Sequence, residues 1–333
     1  MAARSGVSTA TVARVLRNTG QVGPELTARV ERAVAELGYV PNAVARSLTR
    51  GRTGLVGLVI PDIANPFFAE LARGLEDSIV GAGYHVLVSS SGADPDREAT
   101  LITSFAGRTV DAVVMMPMDR RPDRIQQLLS RDIPVVLAGG KLRGLTLPAV
   151  VSDGKGAAAH AVAHLFEHGH RDVAMITGPE GFRTVADGIA GFRAAYRATG
   201  RPAPAELVLQ GHVGVQGGRD AMRLLLGRRR RPTACITLND LLTVGALEVL
   251  REAGVSVPDE MSLISFDDMV LFPFTDPPIT AIAQPAYRMG QAAGDMVLAA
   301  VDGVGRLPAR PVVLRTQFRE RGSCGAPPAG RRS

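Results

Sequence analysis

Three sets of residues in this 333-residue chain have types and spacings suited to chemistry. The first runs from Gly6 to Leu16, with Arg17 behind it. Gly6 can take the positive φ of a tight helix-to-helix turn, and Ser8 can cap the helix that follows. On a helical wheel Val12, Val15 and Leu16 share one face, while Ala10, Ala13, Arg14 and Arg17 share the other, with Thr9 at the exposed start. Small residues let such a helix approach a surface closely, and arginines read guanine edges or bind phosphates. The chemistry expected is DNA recognition. Thr9, Ala10 and Arg14 would face base edges, Ser8 and Thr11 would hydrogen-bond phosphates, and Arg17 would add charge. A solvated helix with two surface arginines is the plain alternative.

The second set is Asp153, Asn239-Asp240 and Asp267, each at or just after the end of an apolar run. Carboxylates and amides there can bind the hydroxyls of a polar small molecule. Capping of the next helix is the competing use, and Asp240 suits it best. Asp268 beside Asp267 is one acid more than a cap requires. The third set is His160, His164 and His168, four residues apart, with His170 just beyond. One straight helix presents two adjacent ligands well and a third poorly, and no HExxH pattern is present, so no metal is assigned. Neither a GxxxxGK phosphate loop nor a GxSxG elbow occurs, and no GxGxxG follows the first strand. The chain is therefore not read as an enzyme, and no cofactor is expected.

These residues need elements to hold them. Pro24 opens a helix whose Leu26, Val30, Ala33, Val34 and Leu37 form an apolar stripe closed by Gly38. Three short helices over residues 1–40 make a helix-turn-helix headpiece. Residues 41–54 follow as a short helix of about two turns and a polar linker, too short to stand alone in water. From Leu55 onward apolar runs at 55–60, 84–89, 110–116, 133–138, 149–152, 172–177, 206–210, 234–237, 261–266, 280–283 and 312–314 read as strands. Helical patterns such as 67–82, 156–168, 215–226, 241–253 and 287–302 separate them. This alternation is α/β, with doubly wound parallel sheets, and so many strands suit two lobes over 55–322 with a cleft at the strand ends. Residues 323–333, rich in Gly, Pro and Arg, are expected to be disordered.

Charge is unevenly placed. Residues 1–54 hold eight arginines and three glutamates, so most of the net +6 lies in the head. A basic head on a near-neutral body points to a polyanion partner for the head alone. Only Lys141 and Lys155 are lysines, but a general preference for arginine does not explain the clustering. Cys235 and Cys324 suggest no disulfide framework, and no run is long and apolar enough to span a bilayer. A cytoplasmic location is expected. The competing class for a two-lobed body is a solute-binding receptor, which a basic helical head argues against.

Several blocks together carry a family resemblance. They are Val7-Ser8-x-Ala10-Thr11-Val12-x-Arg14-Val15-Leu16, then Glu36-Leu37-Gly38-Tyr39-x-Pro41-Asn42-Ala43-x-Ala45-Arg46-Ser47-Leu48, and Gly57-Leu58-Val59-Ile60-Pro61-Asp62-Ile63-x-Asn65-Pro66-Phe67-Phe68. Leu165-x3-Gly169-His170-Arg171, Asn239-Asp240, Ser265-Phe266-Asp267-Asp268 and Gln284-Pro285 extend them. The chain resembles the lactose-repressor/galactose-repressor family of bacterial transcription regulators over nearly its whole length. That resemblance implies a periplasmic-binding-protein-like body, with lobe crossings near 153, 284 and 315. It implies a homodimeric repressor on double-stranded operator DNA, with a small-molecule effector in the cleft. Asn42, Ala45 and Leu48 would lie on a hinge that folds on DNA, with Leu48 wedged into the minor groove. Asp153, Asp267 and an aromatic wall from Phe67 or Phe68 would contact effector, with Asn239 and Asp240 beside them. Where the family commonly has a ligand-gripping arginine this chain has Gly188, and Arg183 is the nearest substitute. The family also has a full helix before the Gly6 turn, where only Met1 to Ser5 precede it here. The expectation is a native start further upstream and a loosely packed head.

Overall fold

A computed structural model describes residues 1–17, 22–39, 51–107, 109–118, 122–140, 142, 144–303, 307–308 and 310–328. The chain divides into a head, Met1–Thr53, and a body, Gly54–Ser333. The hinge expected over residues 42–49, with Asn42, Ala45 and Leu48, lies outside the described residues.

The head contains α1 (Ala2–Ser5), α2 (Thr9–Arg17) and α3 (Pro24–Leu37). Gly6 sits at φ 62 between α1 and α2, and Ser8 Oγ accepts from the Thr11 N–H at 3.1 Å, the expected cap. Pro24 stands in the first turn of α3, and Gly38 closes it at φ 55. Val12, Val30 and Ala33 are the buried apolar side chains among the described head residues, whereas Leu26 is 37% and Leu37 51% exposed. The five-residue stripe read from the sequence is thus narrower in the fold, with Val30 and Ala33 at its buried centre. Arg29 fastens the turn: its Nε donates to Ser5 O at 3.0 Å and its Nη2 to Gly6 O at 3.1 Å. A Cβ at Gly6 would collide with that guanidinium, so both the positive φ and the close approach require glycine.

Among the described residues the body is built on two six-stranded sheets. The first holds β1 (Leu55–Ile60), β2 (His85–Ser90), β3 (Ala112–Met115), β4 (Val135–Ala138), β5 (Ala149–Ser152) and β11 (Val312–Leu314). Its order is β11-β5-β4-β3-β1-β2, parallel throughout, with Leu58 beside both Val88 and Val114. The second holds β6 (Val173–Ile176), β7 (Val208–Leu209), β8 (Ala234–Thr237), β9 (Ser262–Phe266), β10 (Thr280–Ala283) and β12 (Gln317–Arg319), in the order β12-β10-β9-β8-β6-β7. Every residue of β3, β4, β6, β8 and β9 is buried. That is why these strands read as continuous apolar runs rather than alternating ones.

Helices α4 (Pro66–Ile79), α5 (Pro95–Ala106) and α6 (Asp123–Leu129) follow strands of the first lobe. Helices α7 (Gly154–Glu167), α8 (Arg183–Ala198), α9 (Gly214–Leu226) and α10 (Asp240–Glu252) belong to the second, and α11 (Ala286–Asp302) returns to pack on α4. A Cβ at Gly74 would run into the Tyr287 carbonyl, and one at Gly290 into that of Leu71, so α4 and α11 touch backbone to backbone. The chain passes between lobes three times: between β5 and α7, between β10 and α11, and between β11 and β12.

The structure departs from the sequence reading at two places. β12 is a strand outside the apolar runs, and it runs antiparallel to β10, with Phe318 opposite Ile282. Its Gln317-Phe318-Arg319 sequence carries no apolar run. The tail was expected to be disordered from residue 323, yet Ser323 is fully buried. Its Oγ donates to Leu263 O at 2.6 Å and accepts from the Thr280 N–H at 2.8 Å, and the Gly325 N–H donates to Ser262 Oγ at 3.0 Å. Backbone and hydroxyl pairing, absent from a hydropathy pattern, holds this Gly- and Pro-rich stretch.

Candidate functional site

In each lobe the sheet order reverses once, between β1 and β3 and between β6 and β8. Such a switch point opens a crevice at the carboxyl ends of the strands. Here both crevices open into one cleft of about 1080 Å³, part of it open to solvent. Asp62, Asn65, Phe67 and Phe68 line it from the β1 end and the start of α4, and Ser152 from the β5 end. The second lobe contributes Phe182 and Asp187 around the start of α8, with Leu238, Asn239 and Asp267 from the ends of β8 and β9. Gln284 lies on the crossing between the lobes.

The sequence-derived effector residues separate into two groups. Phe67 and Phe68 both line the cleft and both belong to the core, their rings edge to face at 5.1 Å. Asn239 lines the cleft while its Oδ1 accepts from the Leu242 N–H at 2.7 Å, so one side chain caps α10 and faces the cavity. Behind it Thr237, Thr243 and Ser265 form a buried hydroxyl chain at 2.5 and 2.6 Å, which fixes the turn. Asp267 also lines the cleft, at φ 65 and 8% exposed. Its Oδ1 accepts from Gln284 Nε2 at 2.7 Å.

Asp153, Asp240 and Arg183 are not among the cleft-lining side chains. Asp153 Oδ1 accepts from the Gly156 N–H at 2.9 Å and caps α7. Asp240, 1% exposed, accepts from the Leu241 N–H at 2.8 Å. Arg183 turns along its own helix to Asp187, with Nε 2.8 Å from each carboxylate oxygen. Local hydrogen bonding claims all three side chains. Asp62, Asn65, Ser152, Thr184, Asp187, His212 and Gln284 are further polar lining residues that sequence reasoning did not single out for the site; the spacing of four between Arg183 and Asp187 is the visible hint of a paired carboxylate. Asp268, the second acid of its pair, turns away from the cleft and takes Arg321 at 2.7 and 2.8 Å and Arg319 at 2.7 Å.

Burial raises the Asp267 carboxyl to about 8, with the charge of Asp240 adding to it and the Gln284 hydrogen bond opposing it. Burial likewise raises Asp240 to about 6, with a further push from Asp62. At neutral pH Asp267 is therefore mostly a protonated acid able to donate a hydrogen bond into the cleft. The described lining includes Asp62, Asp187 and Asp267 but no lysine or arginine. Gly188 explains the missing arginine: a Cβ there would sit 2.6 Å from Leu238 Cδ1, so Leu238 fills the place an arginine stem would need.

On the head, Ala10 and Arg14 are exposed on the face of α2 opposite buried Val12, and Thr9 is exposed at the start of the helix. Ser8 and Thr11, expected on phosphates, are hydrogen-bonded to each other at 2.9 Å. Arg17 is the last residue of α2. His170 is fully buried, with Nδ1 2.8 Å from Thr233 Oγ1 and Nε2 3.0 Å from Ser262 Oγ, so it serves the core.

A helix-turn-helix head on a two-lobed body with a cleft at its switch points defines the class of ligand-responsive, DNA-binding regulators. Comparison with known proteins places the chain within that class. Residues 1–42 match the model for bacterial regulatory proteins, lacI family, and residues 162–324 that for a periplasmic binding protein-like domain. Catabolite control protein A of Priestia megaterium is 33% identical over 88% of this chain and 89% of its own. The HTH-type transcriptional repressor CytR of Escherichia coli (strain K12) is 33% identical over 91% and 89%. Among solved structures, the transcriptional regulator CelR-cellobiose complex superposes with a TM-score of 0.74 at 31% identity, over 97% of this chain and 98% of that one. The chain belongs to the LacI family of bacterial regulatory proteins. It is a ligand-responsive, DNA-binding transcriptional regulator and not an enzyme.

Proposed function

We propose that this regulator is a cytoplasmic, homodimeric repressor. Its head would read a pseudo-palindromic operator, and its cleft would take a neutral, hydroxyl-rich small molecule. The observation that carries the DNA reading is the exposure of Ala10 and Arg14 on the face of α2 opposite buried Val12, with Thr9 exposed at the helix start. A dimer fits because a two-fold axis gives two α2 helices matching half-sites. Apolar Val270 (77% exposed), Leu271 (60%) and Phe274 (82%) offer the body a surface for a second copy. The α4 and α11 helices are further interface candidates. Asn42, Ala45 and Leu48 would form the hinge that orders on operator and kinks it.

The effector class follows from the lining. Aromatic Phe67 and Phe68 suit the apolar face of a ring. Carboxylates and Asn239 suit hydroxyls, and among the described lining residues there is no lysine or arginine, only His212, to pair with a phosphate or carboxylate. Similar regulators have been solved as a cellobiose complex and with bound ribose, both neutral sugars. Calorimetry against paired neutral sugars and sugar phosphates tests the cleft, with binding of neutral members alone expected. Binding site selection on random DNA tests the head. A recovered consensus without two-fold symmetry contradicts the dimeric reading.

A further inference from the structure

Three side chains lie together on the second lobe, outside the cleft lining. His164 and His168 sit one helical turn apart at the end of α7, their rings 4.5 Å apart. Glu320 follows β12 and comes to them from the far end of the chain. One ligand atom from each of the three lies within 4.8 Å of the other two. His160, the other member of the sequence series, is separated from this group by Phe318, whose ring stands 4.7 Å from His160 and 4.9 Å from His164. Strand alternation carries Glu320 to the same side as Phe318.

A second observation points at the same place. His164 is 7% exposed, and its Nε2 is buried without a hydrogen-bond partner. Leaving such an atom unsatisfied is unfavourable. A cation held jointly with His168 and Glu320 would satisfy it.

We propose that His164, His168 and Glu320 form a metal site for a borderline divalent cation of the zinc class, with water completing the shell. Two imidazoles and one carboxylate are a donor set that zinc, cobalt, nickel and copper accept and that magnesium and calcium do not favour. Tetrahedral zinc needs its ligand atoms about 3.4 Å apart. His168 is half-buried with Nδ1 2.9 Å from His164 O, so it would present Nε2 to a metal, and rotation of the exposed Glu320 side chain narrows the remaining gap while His164 stays fixed. One straight helix supplies only two donors. The third arrives because β12 adds to the sheet edge beside α7. Metal there would staple the edge strand, and the lobe crossing before it, to α7.

The test uses the full chain freed of metal with a chelator. Cobalt(II) titration should give one ion per chain and the visible absorption of a low-symmetry site, which zinc should abolish by displacement. His168→Gln and Glu320→Gln should each weaken cobalt binding ten-fold or more, while His160→Gln should leave it unchanged. His164 is avoided because its burial makes a variant prone to misfold. Zinc should raise the melting temperature of the wild type but not of the His168→Gln/Glu320→Gln double variant. Cobalt binding with equal affinity in wild type and double variant would overturn the proposal. So would loss in His160→Gln as large as in His168→Gln, or the absence of binding to the folded wild type.

Discussion

Gln284 binds Asp267 with one end of its amide and Ser152 with the other. Its Nε2 donates to Asp267 Oδ1 at 2.7 Å, and its Oε1 accepts from Ser152 Oγ at 2.5 Å. Ser152 ends β5 in the first lobe, and Asp267 follows β9 in the second. Gln284 itself lies on a crossing between the lobes, so one amide joins both walls of the cleft at the point where the chain passes between them.

Gln284→Ala removes both bonds and leaves the largely buried Asp267 without its donor. An unpaired buried polar group costs about 1–3 kcal/mol, and stability of the body should fall by that amount in urea unfolding. Effector affinity should fall with it. Operator binding by the ligand-free variant should stay within a few fold, because the altered bonds are all in the body. Unchanged stability and unchanged effector binding together contradict the bridge.

The Asp267 carboxyl, held near 8 against its ordinary value of 3.8, makes stability depend on pH. The folded chain keeps a proton that the unfolded chain releases, so this contribution is fully present below about pH 4. It is lost progressively as pH rises toward 8 and then levels off. The slope it adds is at most about 1.4 kcal/mol per pH unit. Asp267→Asn mimics the protonated acid and tolerates the positive φ. Stability curves from pH 5 to pH 8 should therefore fall more steeply for the wild type than for the variant. Parallel curves would show that Asp267 keeps an ordinary carboxyl.

Arg14→Ala should cost about 1–3 kcal/mol of operator binding and relax base preference at one position in each half-site. A phosphate contact would behave differently, weakening all sequences alike and lowering the salt slope by about one. Fluorescence anisotropy on operator and random duplexes at several salt concentrations separates the two.

Gly188→Arg should destabilise the body by about 1–3 kcal/mol, since its side chain must displace Leu238. Pairing it with Leu238→Ala should restore the melting temperature and open the cleft to an anionic ligand. Thermal melts and a calorimetric comparison of neutral and phosphorylated sugars read both effects. A single Gly188→Arg variant as stable as wild type would show that Leu238 does not fill the position.

Much of the molecule was legible in the sequence. Buried parallel strands read as apolar runs, since both of their faces are covered, and α2 announced itself through Gly6, the Ser8 cap and the Val12 face. The hydrophobic pattern is local, so it shows at one residue's distance or one turn's. Which of the carboxylates stay with their own backbone and which reach across the chain is not local. Asp153, Asp240, Asp267 and Asp268 look alike at strand ends, yet one caps a helix, one is buried beside its own backbone, one enters the cleft and one holds two arginines. Asp267 and Asp268 take partners seventeen and fifty-three residues away in the chain. The same holds for Ser323 under Leu263 and for Glu320 beside His164, where polar pairing across the chain, which no periodicity encodes, decided the outcome.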